Sequence, residues 1–186
     1  MNTVLLRLCA CVLLACVLSA CPETSVNEDF GLKPLELKLE DWNGSWMPLD
    51  DDASIQFTVT DAAKGVLQMT EADETTDQPM SFHLRRASAD DKVRLCFALT
   101  RDPEAKEPKT QIHLLRLPGE GVILAWMIND LAVEKAIKAG QLKGSTKRVK
   151  DDPHNHLDSD PANYTRLQEP QFWKWSEPSI LKRPKP

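Results

Sequence analysis

The sequence predicts a mainly β protein, α+β at the margin. The expected form is a single antiparallel β-meander, a barrel or strongly curved sheet, with one short helix and an extended C-terminal tail. Three observations predict it. Six short segments between residues 55 and 128 are apolar or alternate apolar with polar residues, the period of a strand with one buried face. Turn residues separate those segments at short intervals. Only one stretch carries helical spacing with both end signals.

The ordered domain is expected to begin at Asp41, where the turn dipeptide Asn43-Gly44 stands between Trp42 and Trp46. Ile55, Phe57 and Val59 alternate with Gln56, Thr58 and Thr60, and Asp61 to Gly65 turn into Val66 to Thr70. Met80, Phe82 and Leu84 alternate with Ser81, His83 and Arg85. Val93, Leu95, Phe97 and Leu99 alternate with Arg94, Cys96 and Ala98. Ile112 to Leu117 precedes the turn Pro118-Gly119-Glu120-Gly121. Val122 to Ile128 is apolar on both faces and reads as the most enclosed strand. Asn129 or Asp130 caps a helix of about ten residues whose apolar positions are Leu131, Val133, Ala136 and Ile137, with Gly140 as its stop. Leu142 to Val149 reads as a further strand, residues 150–162 as a polar loop, and about 164–186 as a tail.

The N-terminus is a separate unit. Arg7 precedes an uncharged apolar run, Leu8 to Leu18, which ends in Ser19-Ala20-Cys21. That is the layout of a secretory signal, and Leu18-Ser19-Ala20-Cys21 resembles the lipobox of bacterial lipoproteins. The resemblance implies diacylglyceryl transfer to the thiol of Cys21 and cleavage just before it. Residues 1–20 are then the signal peptide, 21–40 a tether, and 41–186 the β-rich domain. The apolar run is short for a spanning helix, which needs about 20 residues. Cys16, after Leu14-Ala15, is a competing site, but Ser19-Ala20 fits the small-residue requirement better. The implied address is the bacterial envelope, facing the periplasm, at either membrane.

Removing residues 1–20 leaves 166 residues with 22 basic and 28 acidic side chains, a net charge of −6. That is one domain with room for a core, and its acidic balance argues against nucleic acid as a partner. Cys96 is the one cysteine left besides Cys21. No intramolecular disulfide is then available, and its strand context predicts burial.

Gly44-Ser45-Trp46 followed by six strands resembles the start of a lipocalin or calycin barrel. The resemblance implies a small apolar ligand in the barrel and an Arg packed over Trp46, for which Arg148 and Arg166 are candidates. The helix within the strand series departs from the lipocalin order. On this reading Trp46, Phe57, Phe82, Phe97 and Trp126 line the ligand cavity.

Other chemistry is sparse. His154, His156 and Asp158 lie in one polar stretch and could ligate a transition metal. The bland alternative is a solvated acidic loop. Asp50-Asp51-Asp52 reads as a solvated turn, and His83 and His113 as sheet residues on the polar side of their strands. Trp173-Lys174-Trp175 either seats at lipid headgroups or packs over the barrel with the tail. No nucleophile elbow, phosphate loop, dinucleotide fingerprint or Cys-x-x-Cys pair outside the signal segment is present. The chain therefore reads as non-enzymatic and cofactor-free. Its expected role is that of a lipoprotein module that binds, scaffolds or inhibits an envelope partner. The alternatives are a carrier of a small apolar ligand and a metal-binding protein.

Overall fold

The computed structural model describes residues 22–49, 54–71, 79–90, 92, 94–101, 109–119 and 121–184. The lipobox-like stretch ending at Cys21, the competing Cys16 and Asp50–Asp52 lie outside the described residues.

The strands are β1 (Glu23–Val26), β2 (Gly44–Pro48), β3 (Ile55–Asp61), β4 (Val66–Glu71), β5 (Met80–Arg86), β6 (Leu95–Arg101), β7 (Thr110–Gly119), β8 (Val122–Met127), β9 (Gly144–Val149), β10 (Asp152–Leu157) and β11 (Ser179–Lys182). The helices are α1 (Leu39–Trp42), α2 (Asp130–Lys138) and α3 (Pro161–Arg166), with a 3-10 turn at Pro170–Phe172.

Strands β2 to β8 pair in sequence, and β11 inserts between β8 and β2. The result is a closed eight-stranded antiparallel barrel, so the mainly β expectation holds. The tail is more than a cover. Leu181 pairs with Ile123 on one side and Pro48 on the other, completing the wall.

The same sheet extends beyond the barrel because β7 is long. Strand β6 pairs along it from Thr110 to Arg116. Its other edge is shared: β1 takes Thr110 and Gln111, and β8 takes over from His113. Strand β1 runs parallel to β10, which forms a hairpin with β9. The hairpin turns at Lys150, which has φ 50°. Residues 150–162 are thus a turn, a strand and the start of α3 rather than a loop. Asn155 and Leu157 are buried at alternate positions, while His154 and His156 face the other way.

Residues 22–40 are no tether. Thr24, Ser25 and Val26 are buried in β1, and Phe30 is 0% exposed. Leu35 and Leu37 are also buried, and their amides donate to the carbonyls of Leu84 and Ala62. This segment seals one end of the barrel. A Cβ at Gly65 would lie 2.5 Å from the Leu84 carbonyl oxygen and 2.7 Å from that of Leu35, at φ +69°. Only glycine allows that approach.

Two cores result from alternation in the strands they share. Inside the barrel lie Trp46, Phe57, Leu67, Leu84, Cys96, Ala98 and Ile123, with Leu35, Leu37 and Trp42 from the sealing segment. Outside it, Phe97, Leu99, Leu114 and Trp126 pack with Phe30, Val133, Leu157, Leu167, Phe172 and Trp173. Strand β6 is therefore buried on both faces, small residues inward and large ones outward. Each large apolar side chain fully buried there contributes roughly 1.5–3 kcal/mol. Burial pushes the Cys96 thiol above its ordinary range, which makes it an inert core residue.

Helix α2 caps as expected. The Asn129 side chain accepts from the Ala132 amide, and Gly140 follows with φ +69°. It packs on β1, β9 and β10.

His113 is directed toward the barrel, level with Ala98 and Met127. Desolvation lowers its pKa to about 4. The unfolded chain, with a His pKa near 6.5, binds the proton more readily. Stability is therefore retained above pH 6.5 and lost as pH falls toward 4. His113→Gln should flatten the acid limb of stability against pH in urea unfolding, by up to about 3 kcal/mol. An unchanged acid limb would show that the imidazole is well solvated.

Candidate functional site

The most constructed polar region lies where β1 begins. Strand β1 brings Glu23, Thr24 and Ser25 beside β10, in the register Glu23 with His154, Thr24 with Asn155 and Ser25 with His156. Asn155, 3% exposed, is fully partnered. Its amide donates to Thr24 Oγ1 at 3.0 Å and to the Asp130 carbonyl at 3.0 Å, and it accepts from Thr146 Oγ1 at 2.8 Å. Thr24 in turn donates to Asp130 Oδ1 at 2.7 Å. The network ties β1, β9 and β10 to the first turn of α2. Burial pushes the Asp130 carboxyl above its usual range, against the opposing pull of the Thr24 hydroxyl and the Lys174 cation.

Glu23 Oε2 lies 2.8 Å from Lys109 Nζ and 3.3 Å from His154 Nδ1. Ser25 Oγ and His156 Nδ1 are 3.2 Å apart. The two imidazoles thus share one face of β10 but engage different groups of β1. Among the described residues no three His, Cys, Asp or Glu side chains form a group able to hold a metal ion. Asp158 follows the strand, where its carbonyl accepts from Asn163.

The five aromatic residues expected around one cavity do not meet. Trp46, Phe57 and Phe82 belong to the barrel interior, whereas Phe97 and Trp126 face the outer core. The alternation on β6 is opposite to the expected one, because Cys96 and Ala98 are the inward pair. Shallow concavities mark the surface of the described residues. A shallow groove of about 280 Å³ is bounded by Asn43, Gly44, Ser45, Arg183 and Pro184. Another of about 240 Å³ runs along Ser25–Glu28, Lys109, Thr110 and His156.

The cation over Trp46 is Arg183, its guanidinium carbon 4.9 Å from the ring centroid and one nitrogen 3.2 Å from the Asn43 carbonyl oxygen. Arg148 instead pairs with the buried Glu134, and Arg166 with Glu169. Trp173 is buried and donates to the Leu167 carbonyl at 2.6 Å. Trp175 is 44% exposed and stacks on Trp126 at 4.4 Å.

Sequence reasoning missed Glu23, Thr24, Lys109, Asp130 and Asn155. Their contacts span long separations, 131 residues from Thr24 to Asn155, so no local pattern announces them. No helix among the described residues is long and apolar enough to cross a membrane. Comparison of the chain with family models, curated proteins and solved structures finds no match.

Proposed function

We propose that this chain is a bacterial envelope lipoprotein, held at the membrane by acyl chains on Cys21. It faces the periplasm and works as a non-enzymatic module that binds, scaffolds or inhibits an envelope partner. The observation that carries the reading is Leu18-Ser19-Ala20-Cys21 at the close of an uncharged apolar segment. Acyl chains add roughly 0.8 kcal/mol per buried methylene, so two or three hold a domain firmly. Confinement then raises the local concentration of partners at the same surface.

The filled barrel interior supports a partner-binding role over a carrier role. So does β9, which pairs only with β10 among the described residues and leaves its other edge open to an added strand. The carrier reading draws on Gly44-Ser45-Trp46 with Arg183 over the indole. Saturable binding of a fluorescent fatty acid, displaced by unlabelled ligand, would favour it.

Cys21→Ser is the direct test of anchoring. The wild-type chain should incorporate a labelled fatty acid and sediment with membranes. The variant should lose the label and its membrane fraction. Equal partition of both into the soluble fraction would overturn the reading.

A further inference from the structure

We infer that the open end of the barrel binds a soft monovalent metal ion, Cu(I), through the imidazole of His113 and the thioethers of Met69, Met80 and Met127. The inference goes beyond the anchoring reading and does not depend on it. What carries it is where the methionines fall. The sequence has four besides Met1, and three of them face the barrel interior at one end.

The register places them. Met69 on β4 is paired directly with Met80 on β5, and Met69 packs on the barrel core. His113 on β7 is paired directly with Met127 on β8 and, on its other side, with the inward Ala98 of β6. Directly paired residues hold their Cβ atoms about 4.5–5.5 Å apart. The donors therefore come as two pairs brought together by the ladder. An eight-stranded barrel is just wide enough for inward side chains to fill it. The unbranched methionine side chain is flexible enough to bring its sulfur to a shared ion.

This end of the barrel is the accessible one. The segment with Leu35 and Leu37 seals the opposite end, where Gly65 leads into β4. Strand β4 runs away from that seal toward Met69, β5 returns from Met80, and β8 finishes at Met127. All four side chains are half-buried. Leu67, Leu84 and Ile123, deeper on the same faces, are almost fully buried. An ion can thus reach the four donors from solvent. Among the described residues no hydrogen bond holds the His113 ring, which leaves a nitrogen lone pair for a metal.

The donor set selects the ion. Thioether sulfur is a soft ligand that favours Cu(I), and imidazole also suits copper. The four strands carry a single acid, Glu71, at the rim two residues beyond Met69. Hard cations such as Ca²⁺ require several oxygen ligands and find one carboxylate there.

The test uses the full-length protein in mild detergent under reductant, titrated against the coloured Cu(I) complex of bicinchoninate. The wild type should withdraw one Cu(I) more per chain than Met69→Leu/Met80→Leu/Met127→Leu. Leucine nearly conserves the volume of methionine, so the variant should fold, and circular dichroism checks that it does. It keeps every cysteine of the wild type, so the difference reports thioethers and not thiols. Met47→Leu, on the outward face of β2, should bind as the wild type does. X-ray absorption at the copper edge should show sulfur together with one imidazole, and His113→Gln should remove the imidazole signal. Excess Zn(II) should leave the bound Cu(I) in place. A folded triple variant that withdraws as much Cu(I) as the wild type would overturn the inference. So would a wild type that withdraws none, or bound copper without imidazole scattering.

Discussion

Trp46→Ala should destabilise the barrel by about 3–5 kcal/mol, the range for deleting a large buried aromatic. Trp46 is 0% exposed and meets Phe57 at a centroid distance of 6.2 Å. Its indole N–H donates to the Trp42 carbonyl at 2.9 Å, so the substitution also leaves that buried acceptor short of a partner. The Arg183 guanidinium over its face adds a smaller contribution, about 0.5–1 kcal/mol at an exposed site. Urea unfolding measures both. Arg183→Gln should lower the midpoint slightly, and in the Trp46→Ala background it should have almost no further effect. A loss under about 1 kcal/mol for Trp46→Ala would mean that the interior is loosely filled.

Removing Ser179 to Pro186 should do more. Strand β11 pairs with both β2 and β8 and so joins them. Without it two strand edges open, the Leu181 side chain leaves the interior, and Arg183 leaves Trp46. Open edges also template aggregation. The expected loss is on the order of 4–5 kcal/mol or more, the scale reserved for disruption of a core. Unfolding should become broad and non-cooperative, with oligomers visible by light scattering. A truncated chain that unfolds in one sharp transition at the full-length midpoint would show that β11 is dispensable for closure.

The contrast between legible and hidden elements follows from the range of the interactions. The strands at 55–61, 66–71 and 80–86 announce themselves because one face meets the barrel core and the other meets solvent. Helix α2 is legible because its cap and its stop are local. Strand β11 is hidden: four residues between Pro178 and Pro184 carry no alternation to read, and pairing with β2 and β8 creates the strand. Strand β6 misleads for the opposite reason. It is buried on both sides, so alternation alone does not tell which face is inward; Phe97 and Leu99 turn to the outer core, and Cys96 and Ala98 to the barrel. Residues 22–40 look like a tether because they contain Pro and Glu and show little periodic pattern. Yet Phe30 packs into the outer core, and Leu35 and Leu37 pack into the barrel core. The His154 and His156 stretch is polar because it faces away from α2, while Asn155 between them belongs to a buried network that no local motif signals.

On the reading proposed above, β1 starts two residues after the acylated Cys21, which would hold the barrel close to the bilayer. The most direct measurement is the intact mass of the protein extracted from membranes in mild detergent, with its N-terminal peptide sequenced by fragmentation. The expected species begins at Cys21 and carries diacylglyceryl on the sulfur. A membrane-extracted chain that keeps residues 1–20, or one that begins elsewhere with Cys21 unmodified, would contradict it.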